Sequence, residues 1–188
     1  MIFITSDTHY GHSNVIKFDR RPFYSITNMN NELIFRWNKV VASGDLVIHC
    51  GDFALTGSDN KRAIVNQLNG KIILIKGNHD RSGRIHWEEN IGIAKFIKDG
   101  IFLPKSKVAI IHNPADIQNP DEFRIVCHGH THTKGGVSRQ KIGRTEYINV
   151  GVDFRDFRPH PISEFVMHYY RKRIFMKELI GVIESWNI

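Results

Sequence analysis

The chain has 188 residues, of which 41% are hydrophobic and 24% charged, a composition that excludes a disordered or fibrous protein. This length predicts a single domain, residues 1–188, large enough to bury a real core. The formal net charge of +7 favours anionic partners such as nucleotides, nucleic acids or phosphorylated small molecules, although a merely solubilising basic surface is an equal alternative.

Three features bear on where the protein works. No apolar run approaches the roughly 18 residues of a membrane-spanning helix, so we expect no membrane insertion. The first residues show neither a basic leader nor a small-residue cleavage site, which argues against a secretory signal. Cys50 and Cys127 lie far apart, and neither belongs to a C-x-x-C pair. We interpret them as small buried hydrophobes in a reducing compartment, and the expected location is the cytoplasm.

Short apolar runs alternate with helical patterns along the chain. The predicted buried strands are Met1–Ser6, Leu46–Cys50, Lys71–Lys76, Val108–Ile111, Arg124–Cys127 and Tyr147–Val150. Apolar residues recur at helical spacing in Asn31–Val41, Asn60–Leu68 and Ile174–Trp186. Ser163 is a candidate cap for a helix beginning at Glu164, and a turn at Gly135-Gly136 is expected to bring Tyr147–Val150 beside the preceding strand. The alternation predicts an α/β layered fold.

Metal-ligating side chains follow the first five predicted strands. These residues are Asp7, His9, Asp52, Asn78, His112, His130 and His132. In α/β sheets, ligands gather beyond the carboxyl ends of the strands, so this is where a site is expected. The donors are oxygen and nitrogen atoms without a thiolate, a set that suits first-row divalent ions such as Mn, Fe, Co, Ni or Zn. Seven donors exceed the need of one catalytic ion, and two ions sharing a carboxylate fit the number.

Each candidate also has a simpler explanation. Asp7, Asp52 and Asn78 are residue types that cap helices and form turns after strands. His112 has the alternative of a core histidine, although its position at a strand end favours a ligand. His12 is equally compatible with a contact at the metal site and with a surface position at a helix start.

Other polar residues near the strand ends are more ambiguous. His49 and His128 lie one residue inside the loops, and we interpret them as hydrogen-bonded packing residues. Four cations are candidates to clamp a substrate phosphate, although each is more simply a solvated surface charge: Arg81, Lys134, Arg155 and Arg158.

Five short blocks occur in order, each behind an apolar strand. They are Asp7-Thr8-His9, Gly51-Asp52, Gly77-Asn78-His79-Asp80, His112 and Gly129-His130-Thr131-His132. Together they resemble the calcineurin-like metallophosphoesterases over roughly residues 1–132. The resemblance implies a four-layer α/β fold in which two mixed β-sheets form a sandwich flanked by helices. It also implies a minimal-core member, similar to small bacterial or viral ones.

The resemblance further implies an enzyme that hydrolyses phosphate esters with a hydroxide activated by two divalent ions. One ion would be held by Asp7, His9, Asp52 and His132, and the other by Asp52, Asn78, His112 and His130. Asp52 would bridge the two ions, and His79 would face the substrate as a general acid. Mn²⁺ is the first candidate for both ions, with Fe, Zn, Ni or Co as alternatives.

The sequence departs from the family pattern at two positions. Ile111 stands where the family has a glycine before His112. Leu55 occupies the place where the protein Ser/Thr phosphatases of this family carry an Asp that orients the catalytic histidine. This departure favours phosphodiesters, in a phosphorylated small molecule or nucleotide, over phosphoproteins. The basic charge keeps a nuclease or nucleic-acid-processing enzyme as the alternative, whereas the complete ligand set argues against a non-catalytic scaffold.

Overall fold

The computed structural model describes residues 1–80, 87–132 and 137–188. Within these ranges, ten strands form two five-stranded sheets. The first sheet contains β1 (Ile2–Thr5), β2 (Leu46–His49), β3 (Lys71–Ile75), β4 (Lys95–Ile97) and β10 (His160–Pro161), in the order β10-β1-β2-β3-β4. The second contains β5 (Ile101–Leu103), β6 (Val108–Ile111), β7 (Ile125–His128), β8 (Arg139–Ile142) and β9 (Thr145–Asn149), in the order β5-β6-β7-β9-β8.

Both sheets are mixed, with parallel strands at the centre and antiparallel pairing at three of the four edges. Strands β1 to β4 run parallel, and β10 pairs antiparallel with β1. In the second sheet β6, β7 and β9 run parallel, while β5 and β8 pair antiparallel at the two edges. A parallel bridge between Ser6 and Gly151 joins the end of β1 to the loop after β9. The carboxyl ends of the parallel strands of both sheets therefore meet at one seam.

Five α-helices accompany these strands in the described ranges: α1 (Ser13–Phe18), α2 (Ile26–Val40), α3 (Ser58–Val65), α4 (Ile162–Phe165) and α5 (Lys172–Glu184). A π-helical turn lies at Trp87–Ile91, and 3-10 turns lie at Pro114–Asp116, Pro120–Glu122 and Val152–Phe154. The longest helix, α2, begins after Ser25, whose side chain accepts a hydrogen bond from the backbone N–H of Asn28. This bond satisfies one of the N–H groups that a helix start leaves unpaired.

Alternation along the strands divides the apolar side chains between the two faces of the first sheet. Ile4 and Ile48 point inward and pack with the second sheet and with α4 and α5. Phe3 and Val47 point outward and pack against a cluster that includes Trp37 of α2. The outer face of the second sheet is covered by the segment 113–123, which contributes Ile117 and Phe123. The α/β prediction of two mixed sheets in a flanked sandwich is therefore confirmed.

The predicted strands all occur, with ends shifted by at most two residues. The last of them, β9, pairs with β7 as predicted; this pairing is parallel, and β8 pairs antiparallel with β9. The turn expected at Gly135-Gly136 lies outside the described residues. The helix near Ser163 was misplaced: α4 begins at Ile162 after Pro161, so Ser163 lies inside the helix and does not cap it.

The structure bears on the predictions about the two cysteines and about membrane insertion. Cys50 and Cys127 are free and buried, as the prediction of small buried hydrophobes requires. Among the described helices, none is both long enough and apolar enough to cross a membrane. The reducing compartment and the cytoplasmic location stay predictions.

Candidate metal centre

The first group of predicted ligands comes together at the seam between the sheets. Asp7 and His9 follow β1, Asp52 follows β2 and His132 follows β7. One donor atom from each of these four side chains lies within 4.8 Å of the others. His9 Nε2 lies 3.1 Å from His132 Nε2 and 3.6 Å from Asp52 Oδ2. The structure thus brings together the four donors that the family resemblance assigned to one ion.

The second group lies beside the first and shares Asp52 with it. Donor atoms of Asp52, His112 and His130 lie within 4.8 Å of one another. The side-chain oxygen of Asn78 is 2.9 Å from both His112 Nε2 and His130 Nδ1. Asp52 Oδ2 lies 3.5 Å from His112 Nε2 and 3.6 Å from His9 Nε2, which places this oxygen between the two groups. All seven predicted ligands are therefore brought together.

The backbone at the site is strained. Ten non-glycine residues in the described ranges have positive φ, and five of them are predicted ligands: Asp7, His9, Asp52, His130 and His132. A left-handed conformation costs a non-glycine residue about 1–3 kcal/mol. Such strain persists only where surrounding contacts enforce it, and it concentrates at functional sites. The loops therefore hold these side chains in positions that the relaxed backbone would not favour.

Two glycines allow the loops to approach one another closely. A Cβ on Gly77 would collide with the carboxylate and the backbone nitrogen of Asp52. A Cβ on Gly129 would collide with Ser6 and with the carboxylate of Asp7. Gly77 and Gly129 are two of the three glycines in the sequence blocks, and their lack of a side chain allows the donors of adjacent strands to come together.

Asp80 ties the second and third loops together. It is fully buried, and its carboxylate accepts hydrogen bonds from the backbone N–H groups of Asp52, Phe53 and Gly77 at 2.6–3.0 Å. Burial raises the pKa of Asp80 to about 6, although these backbone donors act in the opposite direction. Asp80 therefore fixes the loops and does not face the metal groups.

Burial and neighbouring charges shift the pKa values of the first donor group in different directions. Burial, together with the nearby His132 and Arg21, lowers the pKa of His9 well below its usual range. Burial also raises the pKa of Asp7. Burial disfavours charge on His132 as well, but hydrogen bonds to Asp153 and Asp19 raise the pKa of His132 to about 10. The His132 ring is thus held by carboxylates on the side opposite the metal group.

The partners of His132 form a chain of contacts that the sequence did not reveal. His132 Nδ1 lies 3.0 Å from Asp19 Oδ2 and 3.4 Å from Asp153 Oδ2. Arg21 in turn binds Asp153 with two nitrogen atoms, at 2.8 and 2.9 Å, and donates to the backbone carbonyls of Asp7 and Thr8. Asp153 follows β9 just as the predicted ligands follow their strands, so a signal existed. Asp19 and Arg21 follow a short helix and offered none.

His79 and His12 lie on the open side of the site. The His79 side chain is 38% exposed, and its Nε2 lies 4.0 Å from Asp52 Oδ2, while its backbone N–H donates to Asp52 Oδ1. The His12 ring centre is 5.4 Å from that of His9 and 5.7 Å from that of His79. Of the two alternatives for His12, the structure therefore supports the position at the site.

The comparisons with known proteins agree with this geometry. A model of the calcineurin-like phosphoesterase superfamily domain matches residues 1–172. The chain belongs to this superfamily. The matched range includes every residue of both donor groups and extends beyond residues 1–132, which contain the five sequence blocks.

Two relatives of this phosphoesterase-family chain can be named. The uncharacterized protein MJ1445 of Methanocaldococcus jannaschii is 34% identical over 161 residues, which cover 84% of this chain and 85% of that protein. The crystal structure of AQ665, a protein of unknown function from Aquifex aeolicus, matches with a TM-score of 0.62 and 24% identity, over 85% of this chain and 94% of the other. The likeness to AQ665 supports the fold alone, and neither name states an activity.

The donor atoms of this calcineurin-like domain fit divalent cations. His112 Nδ1 lies 2.8 Å from the carbonyl of Cys50 and must donate to it, which leaves the Nε2 lone pair facing the Asn78 oxygen. Two acceptors 2.9 Å apart repel each other unless a cation or proton lies between them. The Nε2 atoms of His9 and His132 also face each other, at 3.1 Å. Carboxylate, imidazole and amide donors are the ligands that first-row divalent ions accept.

Several other candidates lie away from the donor groups. Arg155 packs over the Phe165 ring and donates to the Asn149 carbonyl, and Arg158 lies 3.8 Å from Asp156. Arg81 and Lys134 lie outside the described residues. His49 is buried with its Nε2 3.0 Å from the Thr8 hydroxyl, and His128 Nδ1 lies 2.8 Å from the carbonyl of Gly129. These two histidines are packing residues, as the sequence suggested.

Proposed function

We propose that this protein is a hydrolase that cleaves phosphodiesters with two divalent cations, Mn²⁺ being the first candidate. The observation that carries the proposal is the pair of donor groups that share Asp52, next to an exposed histidine on the open side. When bound there, such cations supply positive charge against the phosphate oxygens and make water a stronger acid. The substrate is a phosphorylated small molecule or a nucleotide.

Each side chain has a role in this proposal. Asp7, His9, Asp52 and His132 would hold one cation, and Asp52, Asn78, His112 and His130 the other. His79 would protonate the departing oxygen, because it is exposed beside the donor groups and its main chain is fixed to Asp52. General-acid assistance of this kind contributes about 10²–10⁴-fold to the rate.

The surroundings of His79 support diesters over phosphoproteins. Leu55, which stands in place of the orienting Asp, is 40% exposed and offers no carboxylate. Among the described residues, Asp52 is the carboxylate recorded near the His79 ring, at 4.0 Å. A histidine without a dedicated carboxylate partner is less firmly oriented toward a poor leaving group, such as a serine side chain.

The test is hydrolysis of bis(p-nitrophenyl) phosphate by the purified full chain. We expect activity with added Mn²⁺ and its loss after chelation, since all seven donors lie in one site. A phosphoserine peptide should be a poor substrate under the same conditions. Equal rates in chelated and metal-loaded protein, or turnover of the peptide alone, would contradict the proposal.

A nuclease is the second candidate, and the observation that favours it is the net charge of +7. A protein that neutralises several phosphates loses nucleic-acid affinity steeply as salt rises. Binding of a single-stranded oligonucleotide measured between low and physiological salt therefore separates the two candidates. A steep salt dependence together with cleavage favours the nuclease, whereas cleavage of small diesters without such binding favours the first proposal.

A further inference from the structure

A large cleft opens from the second donor group. It has a volume of about 990 Å³, at the upper end of the range of small-molecule sites. Asn78, His112 and His130 line its inner end, where the proposed reaction takes place. Its outer walls are formed by the edge of the first sheet, by β5 and by the segment 113–123. A bound molecule therefore has room to extend well beyond the phosphate at the metal groups.

One wall of the cleft presents an aromatic face. Phe102 lies on β5, lines the cleft and is 44% exposed. Its centre is 5.9 Å from that of Phe123, which is mostly buried and also lines the cleft. Ile117 is a further apolar residue of the lining. An exposed ring in the lining is a surface on which a planar group of a ligand can stack.

The remaining lining provides positive charge and amide groups. Lys76, Lys98 and Lys107 line the cleft, and among the described residues no ion pair involves any of the three. Three acidic side chains, Asp99, Asp116 and Glu122, also line it. Two of them accept a hydrogen bond from an amide nearby, Asp116 from Asn113 and Glu122 from Asn119. Lys76, Lys98 and Lys107 are the positive charges that an anionic ligand would meet in the cleft.

We propose that the cleft binds the nucleoside part of a nucleotide phosphodiester, with its base stacked on Phe102 and its phosphates near Lys98 and Lys76. This inference rests on the proposed hydrolase function and names its substrate class. A lipid chain would need a continuous apolar wall, which the lysines and amides interrupt. A sugar phosphate has no planar face to match Phe102. A nucleotide supplies both the planar ring and the negative charge.

The experiment compares two phosphate monoesters that differ in the base. AMP and ribose 5-phosphate are product analogues of a diesterase, and their binding to the Mn²⁺-loaded full chain can be measured by calorimetry. Stacking of a base on an aromatic side chain is worth a factor of about ten or more in affinity. We therefore expect AMP to bind at least about ten-fold more tightly than ribose 5-phosphate. Chromatography checks that AMP stays intact.

Variants of the exposed ring assign the difference to Phe102. Phe102→Ala should lower AMP affinity to near that of ribose 5-phosphate and leave ribose 5-phosphate unchanged, while Phe102→Trp should keep the difference. Phe35→Ala is the matched control, because Phe35 is an exposed ring on α2 that does not line the cleft. Lys98→Ala should weaken both ligands, and Lys177→Ala on α5 should weaken neither.

The outcomes separate this inference from the proposed function. Equal binding of AMP and ribose 5-phosphate to the unmodified chain, or a difference that survives Phe102→Ala, overturns the cleft assignment even if bis(p-nitrophenyl) phosphate is hydrolysed. Conversely, a Phe102-dependent preference for AMP without any Mn²⁺-dependent hydrolysis supports the cleft and overturns the hydrolase.

Discussion

One carboxylate oxygen of Asp52 accepts a hydrogen bond, and the other faces both donor groups. Its Oδ1 accepts the backbone N–H of His79 at 2.8 Å, while Oδ2 lies between His9 and His112. The side chain is 2% exposed, so water contributes little to neutralising its charge. A buried carboxylate fixed in this way is suited to separate two cations that would otherwise repel each other. His79, by contrast, contributes its ring only to the open side.

This division of roles predicts different results for two substitutions. Asp52→Asn should lower metal content as well as rate, because a neutral amide cannot offset the charge of two cations. His79→Ala should keep near-normal metal content and lose about 10²–10⁴-fold in rate, toward the low end because Leu55 provides no carboxylate partner. The measurements are elemental analysis of bound metal and kinetics on diesters with poor and with activated leaving groups.

The leaving group provides the internal control for His79. An activated leaving group needs little protonation, so the loss caused by His79→Ala should shrink on such a substrate. The role assignment is wrong if His79→Ala strips the metal while Asp52→Asn retains it.

At the scale of elements, Asp153 connects three loops. It lies in the loop after β9, contacts His132 in the loop after β7, and is clamped by Arg21 from the segment after α1. The Asp153 and Arg21 side chains are 3% and 0% exposed. A carboxylate behind a metal-binding histidine orients its ring and increases its basicity, and loss of such a partner typically lowers metal affinity 10–100-fold.

We therefore expect Asp153→Asn to weaken Mn²⁺ binding by about ten-fold or more while the protein stays folded. Asparagine keeps the shape of the side chain and one acceptor for Arg21, but it removes the charge that supports His132. Competition with a chelator gives the affinity, and circular dichroism checks the fold. Asp121→Asn, at an exposed position in a 3-10 turn, is the matched control. Unchanged Mn²⁺ affinity in Asp153→Asn would show that His132 needs no such support.

Some elements were easier to predict from the sequence than others, and the difference follows from how deeply their strands are buried. Central strands such as β3 are covered on both faces and therefore appear as continuous apolar runs. The edge strand β8, Arg139–Ile142, is exposed along its whole length and carries no such signal. The pairing of β9 with β7 was predicted, whereas β8 and its antiparallel pairing with β9 were not. Parallel pairing of β7 and β9 needs an intervening segment, and β8 lies within it.

The metal-donor residues were easier to predict from the sequence than the residues that support them. The seven donors were visible because each follows a strand, and the parallel order of the strands brings these ends to one seam. Arg21 and Asp19 act only through contacts with Asp153 and His132, more than 100 residues away in sequence. The local sequence pattern around Arg21 and Asp19 does not indicate such tertiary contacts. The cleft likewise depends on how segment 113–123 folds over the second sheet, which its sequence alone did not indicate.

At the scale of the whole molecule, the donor groups join the two sheets. Asp7, His9, Asp52 and Asn78 follow strands of the first sheet, whereas His112, His130 and His132 follow strands of the second. The backbone N–H of His130 also donates to the Asp7 carboxylate across the seam, at 3.1 Å. Cations bound between these loops would therefore add a further connection between the two sheets, beside the apolar core and these polar contacts. Metal binding and the stability of the entire fold should be coupled.

This coupling predicts that Mn²⁺ raises the melting temperature of the protein. A ligand that binds only the folded state stabilises it by about 2.7 kcal/mol at a concentration of 100 times Kd. For a chain of this size, each kcal/mol shifts the midpoint by about 2–4 °C, so we expect a rise of about 5–10 °C. Thermal unfolding followed by circular dichroism, with and without a chelator, gives the shift. Asp52→Asn should show little of it, since both groups share that carboxylate. An equal Mn²⁺-induced rise in Asp52→Asn would mean that the stabilising cation binds elsewhere, and absence of any rise in the unmodified chain would contradict the metal centre itself.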